Sequence, residues 1–179
     1  ALSDERSPQS QGKTQNQNSM KINEKMAALV SAQVNEEFHA AYLYLAMSFQ
    51  MEEEGYDGFA HWFLQQYHEE IEHALEIAHY LQLRSGKPQL KGIAEMPQHF
   101  GTPVELFEAA YKHECHVTEL IHNIYKEALE ANDYATSSFF KRYIDEQVEE
   151  ENTVLGIIDQ LHMAGEKGIY LVNAKLAQR

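Results

Sequence analysis

Glu70 and His73 stand three residues apart in the stretch YHEEIEHALEIAHYLQL, Tyr67–Leu83. On a helix that spacing puts a carboxylate and an imidazole on one face. The face is the wrong one for solvated charge, because Phe59, Phe63, Ile77 and Leu81 lie on the same stripe. The pattern repeats along the chain. Glu37 has Val30, Val34, Ala41, Tyr44 and Leu45 around it at helical spacing, and Glu114 lies among Phe107, Tyr111, Thr118, Ile121 and Tyr125. Gln147 and Glu150 fall between Ile144 and Val154. A buried carboxylate without a partner is costly. Several in one core need a positive counterpart, and no Lys or Arg occupies a matching inner position. A bound cation is the simplest one.

An oxygen-rich donor set with few imidazoles suits iron or manganese better than copper. A carboxylate such as Glu70 can bridge two ions. Two adjacent Fe(II) ions can pass two electrons to one O2, one from each, which is the physical case for a di-iron oxidation site.

Spacing alone is weak evidence. Glu-x-x-His also occurs at Glu36/His39, Glu76/His79 and Glu119/His122. Glu76 and His79 continue a row with Glu69 and Glu72, and Glu119 and His122 share a face with Lys112, Cys115 and Lys126. Both read as solvated helix faces, as do His113, His116 and His122, for which adventitious metal binding is the alternative. Trp62, Phe59 and Phe63 read as packing residues, and Cys115 as an inert thiol.

Four long helices must position these groups. The patterns run over Asn23–Glu54, Gly58–Ser85, Thr102–Asn132 and Asp133–Gly165, and a tail, GIYLVNAKLA, can form a short fifth helix. Gly86 and Pro88 stop the second. Thr102, Pro103 and Glu105 give the third a capping box with proline at its first position. The first and third connections are short, so those helix pairs are antiparallel. The middle connection, Gly86–Gly101, is long enough to traverse a bundle at about 3.3 Å per residue. The expected fold is all-α, a four-helix bundle with one long crossover.

The formal net charge is -14. Such a surface repels nucleic acid and acidic membranes and attracts cations. The longest apolar run, Ala40–Met47, falls well short of the about 20 residues of a membrane helix. One cysteine, Cys115, excludes an internal disulfide and a Cys-x-x-Cys site. The polar leader, residues 1–19, reads as a disordered arm ahead of the domain at 20–179. A cytoplasmic setting is expected, or an organelle if the arm is the stub of a targeting sequence.

NEEFHAAYLYLAM, HEEIEH, YKHE and DEQVEEE, in that order and at these separations, resemble the bacterial non-haem ferritins over about residues 21–178. The resemblance implies a ferritin-like bundle with the short fifth helix. It also implies a homo-oligomeric shell of twenty-four subunits that oxidises Fe(II) with O2 or H2O2 and stores the Fe(III) mineral. By the same resemblance, the first iron falls to Glu37, Glu70 and His73. The second falls to Glu70, Glu114 and Glu150, with Gln147 beside it and Tyr44 adjacent to the centre. A third iron site matches Glu69, Glu146, Glu149 and Glu150. Haem-binding relatives carry a second Glu-x-x-His in the fourth helix, where this chain has Gln147-x-x-Glu150, and a methionine where it has Ile71. No haem is expected. The acidic channel positions of animal ferritins match Ser137 and Phe140 here. Two alternatives remain at this stage: a passive shell without a catalytic centre, and a twelve-subunit DNA-protecting mini-ferritin. The negative charge, the tail and the intrasubunit acids weigh against the second.

Overall fold

The computed structural model describes residues 20–179; the expected disordered arm at 1–19 lies outside them. Four helices account for the architecture: α1 (Glu24–Glu53), α2 (Asp57–Leu83), α3 (Pro103–Glu130) and α4 (Tyr134–Leu176). No strand occurs among the described residues. Local chemistry sets the starts. The Asn23 side chain accepts from Met26 N at 2.8 Å. Thr102 and Glu105 close the capping box, with Thr102 N donating to Glu105 Oε2 at 2.6 Å. Asp133 accepts from Thr136 N at 3.1 Å. Each cap satisfies amide groups that the first turn leaves without partners.

Each helix packs on two neighbours. The contacts run α1 to α2, α2 to α4, α4 to α3 and α3 to α1, so α1 and α4 lie diagonally, as do α2 and α3. The crossover is strapped along α1. Gln89 N donates to Ser31 Oγ at 2.9 Å, Lys91 N to Asn35 Oδ1 at 2.8 Å, and Phe100 N to Gln50 Oε1 at 2.7 Å. It thereby carries the chain from one end of the bundle to the other, and α2 and α3 run parallel, as the loop length predicts.

The core is divided. One apolar cluster holds Met47, Met51, Phe59, Trp62, Phe63 and Phe107 with the lower part of α4. The other holds Met26, Val30, Ile77, Leu81, Ile121 and Phe140. In every helix the residues between the two clusters include the polar inner positions: Glu37, Gln66 and Glu70, Glu114, and Gln147.

The tail is helical and is set off from the rest of α4 at Gly165, where the sequence places the end of the fourth helix. At that residue φ is 59° and ψ -171°, a left-handed backbone that glycine adopts without a Cβ penalty. The far limb then reaches the start of α2. Asn173 Oδ1 accepts from Phe59 N at 2.9 Å, capping a helix whose own N-cap residue, Tyr56, makes no side-chain cap. Gly58 allows this approach, since a Cβ there would sit 1.7 Å from Asn173 O.

Candidate metal centre

Every helix contributes to the polar layer: Glu37 from α1, Glu70 and His73 from α2, Glu114 from α3, and Gln147 and Glu150 from α4. Glu37, Glu70, Glu114 and Gln147 are buried, each at most 5% exposed. Ligand atoms of Glu37, Glu70 and His73 lie within 4.8 Å of one another. Two donors on one ion sit at most about 4.4 Å apart at bond lengths near 2.2 Å, so modest side-chain rotation closes the set. Gln33 Nε2 donates to Glu37 Oε1 at 2.9 Å, while Glu37 Oε2 is buried with no partner. An orphaned carboxylate oxygen facing a carboxylate and an imidazole fits a cation.

The second half of the layer is organised around Glu114. Tyr44 Oη donates to its Oε1. Gln147 Nε2 donates to its Oε2 at 3.1 Å and to Thr118 Oγ1 at 3.2 Å. Glu150 accepts from Gln66 Nε2 at 3.2 Å.

Burial is the first influence on every acid here. It pushes Glu37 well above the usual carboxylate range, helped by the neighbouring Glu70 charge. It raises Glu70 against the opposing influence of the adjacent Glu37 and His73 side chains. It brings Glu114 to about 7, with the Tyr44 hydrogen bond opposing. It also raises Glu150, opposed by the Gln66 hydrogen bond. His73 moves the other way. Burial disfavours its charge, yet hydrogen bonds to Glu146 and Glu70 outweigh that and bring it to about 11. Its Nε2 lies 3.0 Å from Glu146 Oε1 and its Nδ1 3.4 Å from Glu70 Oε2. The imidazolium is thus the one cation of the layer among the described residues, and an incoming metal ion must displace its proton to use the ring as a ligand.

The positions matched to a third iron site are less gathered. Glu146 is engaged with His73. Glu69 accepts from Arg179 Nη2 at 2.9 Å. Glu149 is exposed. Sequence reasoning missed Arg179, which reaches back from the tail to Glu69 and Gln66 and lies over Trp62 at 4.8 Å; nothing in local spacing announces that contact. Gln33 and Gln66 had a signal, each standing four residues before an inner acid. One expectation is corrected: His113 is not a solvated surface residue. Its Nε2 is buried without a partner, and burial with two neighbouring imidazoles lowers its pKa to about 4. Glu76, His79, Glu119 and His122 are exposed, as their faces suggest.

A four-helix bundle with one crossover and a mid-core layer of acids defines the ferritin-like class of helical metal proteins. The Ferritin family, described as a ferritin-like domain, matches residues 27–164. A bacterial non-heme ferritin from Bacteroides fragilis is 40% identical over 158 residues, covering 88% of this chain and 99% of the relative. One from Campylobacter jejuni is 32% identical, covering 85% and 92%. Among solved structures, an open pore ferritin from the hyperthermophilic archaeon Archaeoglobus fulgidus superposes with a TM-score of 0.87 at 34% identity, covering 89% of this chain and 99% of that one. The chain belongs to the ferritin family, as a bacterial-type non-haem member, and iron storage is the function that membership carries.

Proposed function

We propose that this chain is a catalytic iron-storage subunit that oxidises Fe(II) at the mid-core layer. The observation that carries the reading is the convergence of Glu37, Glu70 and His73 around an unpartnered Glu37 oxygen. Glu37 and His73 hold one Fe(II), Glu70 bridges to the second, and Glu114 and Glu150 hold that one, with Gln147 fixing Glu114. Each Fe(II) gives up one electron. O2 takes both with two protons and leaves as H2O2, and two Fe(III) remain. H2O2 is a second candidate oxidant. The carboxylates lower the net charge of the product ions, which favours the Fe(III) side. Burial raises the proton affinity of these acids, and any proton they hold is released as iron binds. Tyr44, held to Glu114, is placed to steady that carboxylate or to supply an electron. Glu69, Glu146 and Glu149 are proposed to pass Fe(III) onward, which requires Glu69 to exchange Arg179 for iron.

Assembly into a twenty-four-subunit shell in the cytoplasm, built from copies of this one chain, completes the proposal, and the particle mass in solution tests the stoichiometry. For the chemistry, two Fe(II) per subunit are bound without oxygen and mixed rapidly with O2. Glu70→Ala is expected to slow the initial oxidation on the order of 100-fold, since loss of even an outer-shell partner costs 10–100-fold. An unchanged initial rate would identify a passive shell instead.

A further inference from the structure

Among the described residues only two buried side-chain polar atoms lack a hydrogen-bond partner, Glu37 Oε2 and His113 Nε2. The first lies in the layer already described. The second lies in the seam between α1 and α3, on the opposite side of the bundle from the α2–α4 seam that holds Glu69 and Glu146. Polar groups closed off from water are normally satisfied, so each exception asks for a missing partner.

The surroundings of His113 suggest what that partner is. The His39 ring centroid is 6.3 Å away across the seam, and that of His116 is 6.4 Å away on the same helix. Glu36 Oε2 lies 3.8 Å from His116 Nε2. Glu36 and His39 are three residues apart on α1, and His113 and His116 three apart on α3, so each pair shares one helix face. Among the described residues no lysine or arginine pairs with Glu36, whose ion-pair partner is His116. Three imidazoles and one carboxylate are the donor set that zinc and its neighbours in the first transition row prefer.

We propose that Glu36, His39, His113 and His116 bind one divalent transition-metal ion, Zn(II) or a related borderline cation, at a site separate from the mid-core layer. Two imidazoles on a tetrahedral ion have centroids about 5 Å apart, given bond lengths of about 2.0–2.1 Å. His39 and His116 must therefore each close on His113 by about an ångström, and the ligand atoms of this set, unlike those of Glu37, Glu70 and His73, do not start within 4.8 Å of one another. His39 is half-buried and His116 exposed, so rotation of those two side chains toward the fixed His113 supplies the movement. The site would occupy the outer lip of the bundle's midsection. One aromatic ring separates it from the core acids, because Tyr44 meets His113 edge-on at 6.0 Å and donates to Glu114.

The test is Zn(II) binding by equilibrium dialysis and titration calorimetry on the full chain, in the Glu70→Ala background that disables the mid-core layer. His39→Ala/His116→Ala and His113→Leu are then added separately. The expected result is loss of one Zn(II) per subunit, or about a tenfold or greater rise in its Kd, in both variants. If His113→Leu does not fold, the double variant decides alone. Unchanged zinc stoichiometry and affinity in the double variant would overturn the proposal. Because the readout is zinc binding and not iron oxidation, failure here leaves the ferroxidase reading standing, and failure of that reading leaves this one standing.

Discussion

The two apolar clusters and the polar layer between them occupy the same four helices, yet they obey opposite rules. In the clusters, side chains such as Phe63, Phe107, Ile77 and Ile121 are buried among carbon, and burial is favourable at about 25 cal/mol per Å². In the layer, Glu37, Glu70 and Glu114 are as deeply buried, and burial raises the pKa of each. The clusters hold the helices in place. The layer spends some of that stability to keep a set of acids in register. Function and stability are therefore separable by position along the helices, and mutations in the two regions should pull in different directions.

The largest effect should come from the clusters. Phe63 is fully buried and stacks on Phe107 at 4.7 Å. Phe63→Ala is expected to cost about 3–5 kcal/mol in denaturant unfolding, while any folded fraction keeps its metal affinity. A next, smaller effect of opposite sign belongs to the layer. Glu37→Gln keeps a hydrogen-bonding shape beside Gln33 but removes a buried acid. The metal-free variant should be more stable than the parent by on the order of 1 kcal/mol, with fast oxidation lost. If Glu37→Gln instead lowered the metal-free melting temperature, the contrast between the regions would fail.

The mildest test uses pH. Glu114 titrates at about 7 in the folded chain against an ordinary 4.5. Between these values the folded state binds more protons than the unfolded state. Metal-free stability is thus greatest at the low end of that window and falls as pH rises toward 7. Replacing Glu114 by Gln should flatten the slope across that window, measured as melting temperature against pH. A slope identical to the parent's would place the proton uptake elsewhere.

Much of this contrast is legible in the sequence because helical periodicity exposes inner positions. Glu37, Glu70 and Glu114 each sit where an apolar residue belongs, and the long Gly86–Gly101 segment announces the crossover. What periodicity cannot show is contact between distant segments. Arg179 on Glu69 and Asn173 on the start of α2 depend on how the chain turns at Gly165. Nor does it show how deep a boundary residue sits. His113 is placed one residue before an inner acid, at the edge of its stripe, and its Nε2 is buried where α1 packs against α3.

The crossover has one more consequence. It is the only covalent link between two helical hairpins, α1–α2 and α3–α4. Glu37, Glu70 and His73 belong to the first, and Glu114, Gln147 and Glu150 to the second. On the proposed reading, neither half of the polypeptide contains a complete pair of iron sites. A chain still emerging from the ribosome, with only its first hairpin made, has no means of handing two electrons to O2. On that reading, the proposed oxidation starts only when translation has delivered the second hairpin and the halves have docked.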